Sequence, residues 1–407
     1  MALGEDKVAL LGELARALHQ ATLPADAVEE RVAAVARQLG VEGEIFTLQS
    51  FLAMELHAGG ETRAVVGRMS FDTHWNLTRM TALIALSDRL AAGNVSVAEA
   101  RRELAAIPHR PNPYPNALVV LAYAVYGAAV AARIGGGLRE MLVAGVVGLV
   151  AGVVHYGTLE SNTVDLQKSF LAALLGSLGA FLFGQLLTFD EPRALFGGIT
   201  LLVPAMVVTV GVHELASEAL ESGVARLAYG LLRFAMMAAG IAAAITLTSF
   251  ATWPPSVAAT ALPPLAALVA VGVGGLALIF CLQAPARDGL AIVVAALVAY
   301  GAQEVTKRLV GEHGAPVASA FALGAVAYLH ARATGRAAPL MIVPGLLQLA
   351  PGFMGTKTIL HLLDPGASMA RDADGFLQMF VVALQLGLGI LIADLLFRRR
   401  RRLSALA

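Results

Sequence analysis

Charged side chains are scarce in this sequence. Asp, Glu, Lys and Arg make up 14% of its 407 residues, against about 25% in an ordinary soluble domain. So few charges cannot keep the surface of a chain this long in water. The formal charges also cancel, 29 basic against 29 acidic, so the positive field that draws a protein to nucleic acid is missing. Cysteine is nearly absent. Cys281 stands alone in an apolar run, which excludes an internal disulfide and a thiolate metal site. The opening residues, Met1-Ala-Leu-Gly-Glu-Asp-Lys7, lack the basic and apolar regions of a secretory signal, so the chain is expected to enter the membrane further along. Nucleotide-driven chemistry has no motif either. Gly352-Phe-Met-Gly-Thr-Lys-Thr358 looks like part of a phosphate loop, but Thr356 rather than glycine precedes Lys357. His213-Glu-Leu-Ala-Ser217 begins like a zincin helix and then places serine where the second imidazole belongs. No cofactor or metal is expected, and an ion gradient is the default source of energy.

Apolar residues are abundant. They reach 57% of the chain, with a mean hydropathy of +0.72, and they are unevenly spread. Residues 1–115 carry the pattern of a small α+β domain. Leu10, Leu11, Leu14 and Leu18 recur at helical spacing, and a second helix is expected over Ala25–Gln38 with Val28, Val32 and Val35 inward. Glu44–Leu56 and Thr62–Met69 look like strands on either side of Ala58-Gly59-Gly60. A helix over His74–Ala92 follows, and Ser96-Val-Ala-Glu99 has the form of a capping box. Asp72 and His74 are taken as the start of that helix rather than as a catalytic pair. The prolines of His109-Arg-Pro-Asn-Pro-Tyr-Pro115 then break regular structure.

Beyond Pro115 the apolar runs reach the roughly 20 residues that a bilayer core of about 30 Å requires. Ten can be counted: 116–134, 138–157, 168–188, 194–213, 225–250, 260–283, 289–307, 315–333, 338–355 and 375–397. The expected fold is an all-α polytopic membrane bundle behind a small α+β domain, with one five-helix unit over 116–250 and a second over 251–407. Ile199-Thr-Leu-Leu-Val-Pro204 and Pro339-Leu-Met-Ile-Val-Pro344 occupy the fourth run of each unit. Five spans is an odd number, so two copies of one unit would lie upside down relative to each other, the inverted-repeat plan of many secondary transporters. Arg398 to Arg402 follow the last run. The positive-inside rule puts them in the cytoplasm and, with ten spans, puts the N-terminal domain there as well.

Four segments resemble the threonine/serine exporter family of bacterial and fungal membrane proteins. They are Leu14 to Gly43 with its Leu-Gly-Val-Glu-Gly ending, Leu86-Ser-Asp-Arg-Leu-Ala-Ala-Gly93 with the helix after it, Leu202-Val-Pro-Ala-Met-Val-Val-Thr-Val-Gly-Val-His-Glu-Leu215 through Arg226, and Ile342-Val-Pro-Gly-Leu-Leu-Gln-Leu-Ala-Pro-Gly352. Together they reach across nearly the whole chain. The resemblance implies a multi-pass protein of a bacterial inner membrane, with a cytoplasmic N-terminal domain, ten spans and both termini inside. It also implies export of threonine- or serine-like amino acids against a coupling proton. Relatives often carry Pro-Gly and Asn-Gly where this chain has Pro204-Ala205 and Val210-Gly211, and relatives with split halves are associated with dicarboxylates. A dicarboxylate exporter and an uncoupled facilitator therefore stay open. So do a membrane-embedded enzyme or sensor, and a homo-oligomer.

Candidate site residues fall on the fourth and ninth runs. Thr209, His213 and Ser217 are four apart and share a helical face. His213 could carry a proton near neutral pH, since a free imidazole titrates near 6.5. Glu214 could bind an ammonium group or the coupling proton. Glu218 and Glu221 are read as a solvated helix end. Pro204 interrupts the fourth run, and in the ninth Pro344-Gly345 and Pro351-Gly352 bracket Gln348, so freed backbone groups there could cradle an amino acid. Lys357 could meet a carboxylate at the outer mouth. Arg233, two turns into the fifth run, would snorkel or serve a polar cavity, and Lys168 and Gln185 are weaker candidates. The arginine tail gives the first test. A reporter active only outside the cytoplasm should be silent when fused after Ala407 and active when fused near Val257. A bright C-terminal fusion would contradict ten spans with both ends inside.

Overall fold

A computed structural model describes residues 4–69, 75–157, 165–250, 256–349, 352–362 and 369–397. Asp72, His74, Pro351 and Arg398 to Arg402 lie outside the described residues.

The N-terminal domain sets helices against one face of a small sheet. α1 (Glu5–Gln20) and α2 (Ala25–Gln38) turn Leu10, Leu14, Leu18, Val28, Val32 and Val35 inward, all fully buried. The sheet holds β1 (Glu42–Thr47), β2 (Phe51–Ala58) and β3 (Glu61–Arg68) in that order, all antiparallel. Its register aligns Ile45, Met54 and Val65 on one face, where alternation puts every second side chain. Glu44–Leu56 is thus not one strand. The chain reverses through Leu48–Ser50 and pairs Thr47 with Leu52. Gly59 and Gly60, with φ of 60° and 84°, make the two-residue turn between β2 and β3 that needs positive φ at both positions. α3 (Leu77–Ala91) is capped by the Asn76 side chain and α4 (Val97–Ala106) by Ser96, the latter as its capping box suggests.

Among the described residues, eight helical stretches are long and apolar enough to cross a membrane. α5 (Asn116–Arg133), α6 (Leu138–Gly157) and α7 (Asp165–Gly184) lead the first half, and α10 (Leu220–Leu247) closes it. The run expected over 194–213 is two pieces, α8 (Glu191–Ile199) and α9 (Ala205–Ala216), with Pro204 capping the second. After α11 (Pro264–Cys281) comes α12 (Gly289–Thr334), whose 46 residues would run about 69 Å if straight. It bends at Gly311, where φ is 79° and ψ is 174°. Thr306 Oγ1 lies 3.4 Å from Ala315 O across that bend, although nine residues of straight helix cover about 13.5 Å. The expected runs 289–307 and 315–333 are its two arms.

The expected ninth run is described as α13 (Pro339–Leu349) and α14 (Gly352–Leu362), on either side of residues 350–351, and α15 (Met369–Phe397) follows. Pro204 and Pro344 do not hold matching places. Pro204 starts a half-helix, whereas Pro344 lies inside α13. A proline costs least at a helix start, where its missing N–H would have no intrahelical partner, and inside α13 it removes one backbone bond.

Candidate functional site

α9 ends against the N-terminal domain, and the polar residues at that junction hold one another. Glu214, fully buried, accepts from Arg226 Nε and Nη2 on α10, each at 2.9 Å. Arg226 is itself 2% exposed. Glu214 Oε1 also accepts from the backbone N–H of Ala25, the first residue of α2, at 3.0 Å. First-turn amides have no partner within their own helix, and the helix dipole favours a negative charge beside them. Ser222 Oγ donates to Thr47 O at 2.8 Å, and Glu29 accepts from Thr47 N and Oγ1 at 2.7 and 3.0 Å. Turned with its oxygen toward Arg226, the Gln49 amide lies 3.1 and 3.0 Å from Nε and Nη2. His19 Nε2 sits 3.1 Å from Gln49 O. Burial and then the Arg226 charge push the His19 imidazole down to about 4, against the opposing effect of the Gln49 bond. Burial pushes the Glu29 carboxyl up.

A second seam joins α3 to the turn after α11. Leu77 N donates to Leu282 O at 2.9 Å, and Thr78 donates to Gln283 O through both N and Oγ1 at 3.2 and 2.6 Å. Tyr114 packs edge-on to Phe280, with ring centroids 4.7 Å apart.

Between these seams lies a chamber of about 2010 Å³. Its roof is α2 and α3. Its floor is α9, the second arm of α12, α13 and α15. Apolar side chains form much of the floor, among them Met206, Val210, Val343, Leu346 and Ile390. The rim is ionic: Arg31 meets Asp88 at 2.9 Å, Arg336 meets Asp288 at 3.3 Å, and Glu103 pairs with Arg89 and Arg110. Thr209 and His213, one turn apart on α9, line the chamber beside Asp26 of α2. His213 Nε2 is 3.7 Å from Asp26 Oδ2. Burial pushes the Asp26 carboxyl up, and the adjoining His213 together with the backbone amides of Ala27 and Asp26 outweighs it and leaves Asp26 below its ordinary value.

The fold therefore divides the candidates read from sequence. Thr209 and His213 face the chamber. Glu214 follows His213 but points into the junction, with both oxygens taken. Ser217 caps the end of α9, and its Oγ is buried without a partner among the described residues. Glu218 and Glu221 are exposed, as a solvated helix end requires. Gln348 is buried in α13 and stands apart from the chamber wall that the described residues form. Gly345 lets α13 close on α12, since a Cβ there would come 2.4 Å from Leu323. Gly352 does the same against Val203 and Phe196 at the start of α14. Lys357 is exposed on α14, and Gln185 is exposed after α7. Arg233 is buried and donates to Ser169 Oγ at 2.8 Å, while Lys168 pairs with Asp165 at 3.5 Å. Sequence reasoning missed Asp26 and Arg226. Asp26 looked like an ordinary acidic first-turn residue, and nothing in spacing ties Glu214 to an arginine twelve positions on.

Two family profiles match the chain. A threonine/serine exporter profile matches residues 9–248, and a second, described as threonine/serine exporter, ThrE, matches 265–396. The chain belongs to the threonine/serine exporter family. As a member of this transporter family with several long apolar helices, it is a multi-pass membrane protein. An uncharacterised protein of Schizosaccharomyces pombe is 28% identical over 174 residues, which are 41% of this chain and 21% of that protein. The chain thus spans about a fifth of that relative's length. No solved structure matches.

The junction gives a sharp test of how the N-terminal domain is held to the membrane unit. Removing one member of a buried ion pair leaves the other charge unpaired and costs about 3–5 kcal/mol. Arg226→Ala should lower the thermal midpoint of the detergent-solubilised protein and expose the segment near residue 115 to protease. Arg31→Ala, at the open rim, should do neither. Equal stability of the two variants would show that the junction is not held this way.

Proposed function

We propose that this chain is a ten-span secondary exporter of small polar metabolites, with threonine- and serine-like amino acids first among them, driven by protons moving inward. The N-terminal domain and both termini lie on the cytoplasmic side of a bacterial inner membrane. The chamber beneath the domain is the inward-facing vestibule, and its position against α9, the second piece of an interrupted span, is the observation that carries the reading.

Ten spans follow when α12 is taken as two spans meeting at Gly311 and α8–α9 as one interrupted span. Among the described residues, the domain's hydrogen bonds to the membrane unit then fall on one side, at the end of α9 and the start of α10 and at the turn between α11 and α12. Matching contacts support an inverted repeat. A Cβ on Gly240 of α10 would come 2.4 Å from Phe170 O of α7, and one on Gly389 of α15 would come 2.4 Å from Val317 O in the second arm of α12. The cross-contacts are reciprocal. α9 packs on α13 and α15, while α14 packs on α8 and α10. α9 and α14 thereby each pack against the fourth and fifth spans of the other half. Interrupted spans such as α8–α9 carry the substrate site in many secondary transporters. With Glu214 committed to the junction, His213 is the proton-carrying group this reading favours at the chamber wall.

Inverted vesicles holding the purified protein test the function. With the interior acidic, L-threonine or L-serine should accumulate. One pH unit, about 1.4 kcal/mol, supports up to about tenfold accumulation for one-for-one exchange. His213→Gln, whose amide oxygen keeps an acceptor but carries no proton, should let substrate still equilibrate down its gradient and abolish accumulation. Accumulation of succinate alone would reassign the substrate to a dicarboxylate. Equilibration that ignores the pH gradient would make the protein a facilitator, and movement of no probe would overturn export.

A further inference from the structure

The rim of the chamber pairs its own charges, whereas its inner wall leaves one carboxylate facing the membrane helices. Asp26 lies opposite α9, with Oδ1 buried and without a hydrogen-bond partner among the described residues. Oδ2 is 3.7 Å from His213 Nε2, beyond ordinary hydrogen-bond length. One turn along α9, Thr209 Oγ1 already donates to Ala205 O at 2.9 Å, so what remains of that hydroxyl is acceptor capacity. A neutral imidazole also offers one acceptor nitrogen. Three acceptors therefore meet the chamber together, two from the membrane unit and one from the N-terminal domain, with apolar Met206 and Val210 beside them.

We infer that Asp26, His213 and Thr209 form a subsite for a primary ammonium group, with Asp26 as its charge partner. An ammonium carries one positive charge and three N–H donors, which matches one carboxylate and two neutral acceptors. Two acceptors 3.7 Å apart can both lie within about 2.8–3.0 Å of one nitrogen placed between them. The inference rests on the exporter reading of the chamber and deepens it in one respect. The N-terminal domain supplies a ligand to the transported molecule, so substrate loads while the domain is docked. The subsite also sets specificity. A hydroxyl in place of the ammonium brings no charge and a single donor, which leaves the carboxylate unpaired.

L-serine and glycerate differ at that one group and are the probes. Trp75 lines the same chamber and gives an intrinsic fluorescence signal for binding to the full-length protein in detergent. L-serine should bind and glycerate should not. Asp26→Asn should weaken L-serine binding at least about tenfold, as loss of a charge-assisted bond does, while leaving the thermal midpoint unchanged. Asp26→Glu should recover part of the loss. Thr209→Val, which keeps the shape of the side chain, should weaken L-serine independently and so covers the case in which Asp26→Asn fails to fold. Equal binding of L-serine and glycerate, or saturation of the site by Na⁺ alone, would overturn the subsite. So would L-serine transport with an unchanged KM in both Asp26→Asn and Thr209→Val, and that result would leave the exporter reading standing. A wild-type protein that binds and moves no ammonium-bearing probe would overturn both.

Discussion

A buried carboxylate costs several kcal/mol unless its oxygens are paired, and Glu214 meets that condition with groups from two parts of the chain. Arg226 comes from the next membrane helix, and the Ala25 amide comes from the N-terminal domain. The end of α9, the start of α10 and the start of α2 are therefore fixed to one another at a single point. The rest of the junction depends on that placement. Ser222 reaches Thr47 because α10 begins where Arg226 requires it, and Thr47 in turn occupies Glu29. His213, one residue before Glu214, is turned the other way and left at the chamber wall. The same short helix thus presents one ionisable group to the domain as an anchor and one to the chamber.

This arrangement explains why the chamber exists. The domain is held at the α9–α10 turn and again at the turn after α11, through Leu77 and Thr78. Between the two seams its helices α2 and α3 bridge over α13 and α15 without filling the space. The floor includes α9, which begins where the α8–α9 span is interrupted at Pro204. Charged pairs line the rim, and apolar side chains form much of the floor.

Local pattern was the legible part of the fold. The bounds of α2 follow from Val28, Val32 and Val35, and Ser96 caps α4, because periodicity and capping are decided within a few residues. Apolar run length marked out the membrane unit, since a bilayer imposes a length. What sequence reading missed depends on the third dimension. Glu44–Leu56 reads as one extended run because nothing in it resembles a glycine turn, yet the chain reverses at Leu48–Ser50. Pro204 and Pro344 look alike beside their apolar runs, yet Pro204 starts α9 and Pro344 lies within α13. Of the candidate site, Thr209 and His213 were legible as a polar face on an apolar helix. Glu214 looked equivalent to His213 because a one-residue step turns a side chain by about 100° on a helix, and only the packed domain decides which direction is chamber and which is anchor.

On the proposed reading, the transported molecule passes through the chamber beneath the docked domain. Ala27 lines that chamber from the domain side, and the only native cysteine, Cys281, is buried. In a Cys281→Ser background, Ala27→Cys can be coupled to a bulky maleimide from the cytoplasmic side of inverted vesicles. Substrate uptake should stop on labelling, while a cysteine placed at exposed Val66 of the same domain, away from the chamber, and labelled equally should have no effect. Full uptake through vesicles whose Ala27→Cys sites are all labelled would contradict it.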